Sequence, residues 1–153
     1  MSSLELKAPP VLQVITIAFA MYGLSGLFPN LQVMVFGTKW LASGLAVVGM
    51  ALAIMGILAF KKAQTTVNPH TPEKSVSLVT KGIYKYTRNP MYLGMLLVLL
   101  GWAFYLSNFA ALLVLPIFII YMSRFQIQPE ERFMKQKFGD EYRAYIMKVR
   151  RWL

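Results

Sequence analysis

Between Met91 and Ser123 the chain runs for 33 residues without a charged side chain. As one helix this run would be about 50 Å long, against a bilayer hydrocarbon core of about 30 Å. It must therefore fold back on itself. Ser107-Asn108 is the polar pair at its middle, and a tight turn there makes two short spans, about 91–106 and 109–125. Two further uncharged runs precede it: Val11–Phe28, of 18 residues, and Trp40–Phe60, of 21. Both have the length of a membrane-crossing helix. The expected fold is all-α and integral to the membrane. It comprises four transmembrane helices (about 11–28, 40–60, 91–106 and 109–125), the last two forming a hairpin, within a single domain over 1–153. The first run lacks a basic start and a small-residue cleavage site, so it reads as a retained helix, not a signal peptide.

Composition agrees: 57% of residues are hydrophobic and 14% charged, where a soluble domain would have about 25% charged. The net charge of +10 could signal nucleic acid, but its distribution points elsewhere. Six Lys and Arg fall in 61–90 and eight from Arg124 onward, leaving only Lys7 and Lys39. Both rich segments lie on one side of a four-span topology. By the positive-inside rule that side is cytoplasmic, and both termini lie there. The expected partners are a lipophilic or lipid substrate and membrane lipid, with no nucleic acid. Oligomeric state is not legible.

Helix two carries Ala42, Ala46, Gly49, Ala53 and Gly56 at spacings of 4, 3, 4 and 3, a seam that lets another helix approach closely in lipid. Pro116 lies inside the fourth span and is expected to kink it. Beyond Pro129, the residues Met134, Phe138, Tyr142, Tyr145, Val149 and Trp152 recur at helical spacing among basic residues. This predicts an amphipathic tail on the membrane surface or over the cytoplasmic mouth. Gly139-Asp140 reads as a stop and a new N-cap, dividing the tail into two short helices.

Two clusters could carry chemistry. Asn89-Pro90 reads as an N-cap and first helical position of the third span. Its free N–H groups, beside Arg88, would suit a carboxylate or phosphate. The plainer alternative is a simple cap, with Arg88 meeting lipid headgroups. Glu130-Glu131 follows the fourth span. Neighbouring helical residues point about 100° apart, so one acid, Glu130, is expected to face a shared site. It could take an ammonium or ribose hydroxyls. The alternative is two acids favouring their own helix dipole. Tyr84, Tyr86 and Tyr92 offer faces that attract cations. A zwitterionic cofactor bearing a sulfonium would suit such a site. With no cysteine and one histidine, thiol chemistry is excluded and no metal site is expected.

These residues resemble a known group, the integral-membrane methyltransferases that include isoprenylcysteine carboxyl methyltransferase and phosphatidylethanolamine N-methyltransferase. The run Leu78-Val79-Thr80-x-Gly82-x-Tyr84-x-x-x-Arg88-Asn89-Pro90-x-Tyr92-x-Gly94 is similar to one family signature. Glu130-Glu131 followed by Phe138-Gly139-Asp140-Glu141-Tyr142 and Tyr145 is similar to the other. The match covers about 65–152, taken as the cofactor-binding half. It implies S-adenosyl-L-methionine as methyl donor, bound at the cytoplasmic face, and a lipophilic acceptor (a phospholipid amine or a prenylcysteine-like carboxylate) entering from the bilayer. By position, Leu78, Val79, Tyr84, Asn89, Pro90, Met91, Tyr92, Gly94 and Glu130 would bind the cofactor, with Arg88 and Glu131 in support.

Asn89 stands where the prenylcysteine enzymes have His, and Gln126 where they have a substrate-binding Arg. Arg124 is a candidate substitute. No catalytic residue is assigned; the candidates are Glu130, Glu131, Arg124 and His70. The competing readings are a membrane NADPH-dependent reductase of the sterol-reductase type, a small four-helix transporter, and a non-catalytic membrane protein that binds anionic lipid.

Overall fold

The structure, a computed structural model, describes residues 5–33, 37–64 and 77–153. All of the regular elements among them are helical. Helix α1 spans Pro10–Leu27 and α2 spans Thr38–Lys62. A short 3-10 turn, Gly82–Lys85, precedes α3 over Pro90–Leu106. The remainder is one continuous helical path in pieces: α4 (Phe109–Leu112), α5 (Leu115–Tyr121), a π-helical turn (Met122–Ile127) and α6 (Gln128–Lys148). Helix α1, α2 and the path from Phe109 are long and apolar enough to cross a membrane, and α3 is a shorter apolar helix of 17 residues. These are the four expected spans. The fourth ends at Ile127, because α6 opens with Gln128-Pro129-Glu130-Glu131-Arg132.

The seam on α2 packs against α3. A Cβ on Gly49 would lie 2.5 Å from the Gly94 carbonyl oxygen, and one on Gly101 would lie 2.7 Å from that of Ala42. Such backbone contact is possible only between glycines and other small residues. The large side chains on α2's other faces, such as Trp40, Val47 and Met50, are exposed, as lipid-facing residues would be.

Helix α3 ends at Ser107, whose φ of 50° reverses the chain. The Asn108 side chain accepts from the Ala110 N–H at 2.9 Å and donates to the Phe28 carbonyl at 2.9 Å. One buried amide therefore caps α4 and ties the hairpin turn to the end of α1. The core beneath is apolar: Met21, Leu99, Phe118, Met122 and Ile127 are almost wholly buried.

The fourth span departs from the expected single kinked helix. Pro116 has no N–H to give the Leu112 carbonyl. The chain turns at Leu113-Val114 and restarts as α5, with Pro116 in its first turn. Glycine 139, at φ 49° and ψ −121°, breaks α6 as expected. After the break Tyr142, Tyr145 and Val149 pack with Leu78 and Met134, so the tail lies over the mouth of the bundle. The stretch before α1 reaches the same end: Leu6 N–H donates to the Phe125 carbonyl at 3.1 Å, and Glu5 pairs with Arg124 at 3.7 Å and with Arg132.

The α2–α3 contact yields a first prediction. Gly94→Ala should destabilise the protein by about 1–3 kcal/mol through overpacking. Gly44→Ala, on α2 with nothing within 4 Å of the added Cβ, should melt at or above the wild-type temperature. Thermal unfolding of both variants in one detergent is the measurement. Equal melting of Gly94→Ala and wild type would mean that the helices are not in backbone contact.

Candidate active site

At the basic end of the bundle, the 77–89 segment, the π-helical turn and α6 enclose a pocket of about 80 Å3. Seven of the residues picked out in the sequence line it: Leu78, Val79, Tyr84, Arg88, Asn89, Glu130 and Glu131. Leu78 and Val79 also wall a neighbouring cavity of about 440 Å3, bordered by Lys62 and Lys81.

Both acids reach the pocket, not one as helix geometry predicts, and their surroundings differ. Glu131 is neutralised twice. Arg151 forks onto it, with Nε to Oε1 at 3.1 Å and Nη2 to Oε2 at 2.7 Å, and Arg88 Nη1 lies 3.1 Å from Oε1. Glu130 is held by neutral donors. The Tyr92 hydroxyl donates to its Oε1 at 2.6 Å, and Gln126 Nε2 donates to the same oxygen at 2.7 Å. Desolvation inside the protein pushes the Glu130 carboxyl up to about 7, and the two hydrogen bonds only partly oppose it.

Two polar atoms of pocket-lining residues are buried without a partner among the described residues, the Tyr84 hydroxyl and Arg88 Nε. Burial raises the Tyr84 phenol well above its ordinary value, so it stays a neutral O–H. An unpartnered buried donor costs free energy that a ligand acceptor would recover.

One expectation needs correction: the Asn89 side chain does not cap α3. It donates instead to the Arg151 carbonyl at 2.9 Å. Tyr92 acts through Glu130 and is not part of the pocket wall. Pro90 and Met91 pack on Gly56 of α2, and Gly94 on Gly49 and Ala53, so these three build the α2–α3 contact. Arg124 turns away to Glu5 and Gln128. His70 lies outside the described residues. Sequence reasoning did not assign Phe60, Ile127, Met134 or Arg151 to the site. Met134 sits in the tail's apolar periodicity and Phe60 closes the apolar run of α2, whereas Arg151 has no local signal. Tyr142 and Tyr145, noted for their spacing, line the pocket.

Comparison with known proteins bears on this geometry. The family model for phospholipid methyltransferases matches residues 38–141. The chain belongs to the phospholipid methyltransferase family. This is a family of integral-membrane methyltransferases, and the matched region contains α2, α3 and both acids. An uncharacterised protein of Haemophilus influenzae is 54% identical over 63 residues, 41% of this chain and all of that one. The protein-S-isoprenylcysteine O-methyltransferase of Schizosaccharomyces pombe is 38% identical over 72 residues, 47% of this chain and 30% of that protein. A probable protein-S-isoprenylcysteine O-methyltransferase of Oryza sativa is 27% identical over 123 residues, 80% of this chain and 64% of that protein. The chain thus spans less than two thirds of either named enzyme. No solved structure matches.

The Glu130 environment predicts a pH dependence. An acid whose folded value lies above its ordinary 4.5 binds more protons folded than unfolded. Stability is then full below about 4.5 and falls as pH rises towards about 7. Thermal unfolding across pH 4–8 should show this fall in wild type and not in Glu130→Gln. An identical slope in both would place the titration elsewhere.

Proposed function

We propose that this family member transfers a methyl group from S-adenosylmethionine to an amine carried by a membrane lipid. The observation that carries the reading is Glu130, a carboxylate in the pocket wall with two neutral donors and, among the described residues, no cation on it. Such a group favours a positively charged neighbour.

The pocket residues fit the cofactor. Tyr84 O–H and Arg88 Nε–H are unpartnered donors for an acidic group. Leu78, Val79, Ile127 and Met134, with the edge-to-face Phe60–Tyr84 pair at 5.4 Å, make an apolar and aromatic wall for a heteroaromatic base. Glu130 supplies negative charge for a sulfonium or an ammonium. A ligand of that size needs more than 80 Å3, and the cavity behind Leu78-Val79 adds the volume. When bound, the cofactor supplies an electrophilic methyl group.

The chain's own residues do the rest. An ammonium must lose a proton before it can accept a methyl group. A carboxyl titrating near 7 can take that proton and pass it to water, as a general base tuned to its working pH does. Tyr92 and Gln126 hold Glu130 in place for this. Of the arginines near the pocket, Arg151 and Arg124 are engaged by Glu131 and Glu5, and the one open N–H of Arg88 is assigned to the cofactor's acidic group. An amine is therefore favoured over a prenylcysteine-like carboxylate. Charge distribution supports a cytoplasmic site, with six Lys and Arg in the sequence between 61 and 90 and eight from Arg124 onward.

Transfer of tritiated methyl groups to phosphatidylethanolamine vesicles, with a prenylcysteine analogue in parallel, is the test. Label should enter the amine lipid, and Glu130→Gln should lower the rate by about 100-fold. Label entering only the prenylcysteine would overturn the acceptor, and failure of the purified protein to bind S-adenosylhomocysteine would overturn the cofactor.

A further inference from the structure

The chain leaves α6 at Val149, which is extended, and crosses back over the start of α3. Three consecutive residues donate to this strap. Arg88 N–H reaches the Arg150 carbonyl at 3.0 Å. The Thr87 hydroxyl and Asn89 Nδ2 both reach the Arg151 carbonyl, at 3.3 and 2.9 Å. Trp152 Nε1 then donates to Ser123 Oγ at 3.2 Å, tacking the strap to the π-helical turn. From this fixed backbone the Arg151 side chain reaches Glu131.

One arginine is enough to neutralise one carboxylate, and Glu131 has two. Arg151 does not line the pocket, and its side chain is 34% exposed. It takes both Glu131 oxygens in the forked arrangement that guanidinium geometry favours. Arg88 is left with a single Glu131 oxygen through Nη1, and its guanidinium also hydrogen-bonds Tyr142. Its Nε–H, in the pocket wall, is therefore not used up by Glu131. Without Arg151, Glu131 could turn and take Arg88 in a fork, closing Arg88 on itself.

We propose that Arg151 is a positioning residue: by occupying both oxygens of Glu131 it holds Arg88 in the pocket wall with Nε–H directed to a ligand carboxylate. The inference rests on the pocket being the cofactor site and adds a role for a residue outside its wall. It gives the second arginine a function that charge balance alone does not.

Calorimetry with S-adenosylhomocysteine on full-length protein in detergent tests it. Arg151→Ala should weaken binding about tenfold, the scale of one charge-assisted hydrogen bond. Arg151→Lys, which keeps the charge and loses the fork, should weaken binding similarly. Binding stoichiometry should stay at the wild-type value in both, and in methyl transfer KM for the donor should rise while kcat at saturation holds. Adding Glu131→Gln to Arg151→Ala should recover affinity, because the competitor for Arg88 is weakened. Three results would each overturn the role: Arg151→Lys binding as wild type, the double variant binding no better than Arg151→Ala, or lost stoichiometry with unchanged affinity. In all three the wild type still binds, so the cofactor reading stands. A wild type that binds nothing removes both.

Discussion

Backbone contact between α2 and α3 sets the position of everything at the pocket end. In lipid there is no water to drive helices together, so close packing must hold them. Gly94 lies one turn into α3 and seats against Gly49, which fixes both the height and the rotation of the helix. Tyr92 is two residues earlier, about 200° around the helix from Gly94. It therefore points away from α2, towards α6, where its hydroxyl meets Glu130 at 2.6 Å. A bulkier residue at position 94 would displace the donor that holds the pocket carboxylate. The run Tyr92-Leu93-Gly94 thus joins the donor to Glu130 to the packing residue that aims it.

The two neighbouring acids show how environment divides identical groups. Glu131 sits between two guanidinium groups and serves as an anchor. Glu130, one residue away, meets only a phenol and an amide. A phenol and an amide support a carboxylate without cancelling its charge, so its proton affinity stays high inside the protein. That difference leaves one acid open to a charged neighbour while the other is spent on its two arginines.

Much of this was legible where the signal is local. The 33-residue uncharged run demanded a hairpin, and Ser107-Asn108 makes it. The 4-3-4-3 seam predicted the α2 face that α3 covers, and Gly139 predicted the break in α6. What was not legible depends on chain return. Asn89 looks like a cap because its neighbours say so, but the Arg151 carbonyl arrives from 62 residues away and takes its amide. Arg124 looked free to serve the site, but Glu5 draws it off. Helix geometry separated Glu130 from Glu131 by angle and could not see that the 77–89 segment and α6 would wrap both into one wall.

The irregular path from α5 to α6 follows from proline chemistry as well. Pro129 has no N–H, so in a regular helix the carbonyl of Phe125 would lose its partner. An unpaired carbonyl at the end of a membrane span is costly. Here the Leu6 N–H fills it at 3.1 Å, and Glu5 reinforces the contact by pairing with Arg124 and Arg132 on either side. The residue that breaks the helix thus creates the socket that ties the stretch before α1 to the site end. Gln126 lies towards the end of the π-helical turn Met122–Ile127, four residues before Glu130, the spacing at which helical side chains meet, and its amide reaches that carboxylate. Only a residue with an N–H at position 129 could reclaim the Phe125 carbonyl for the helix's own ladder, and it would leave Leu6 without that acceptor.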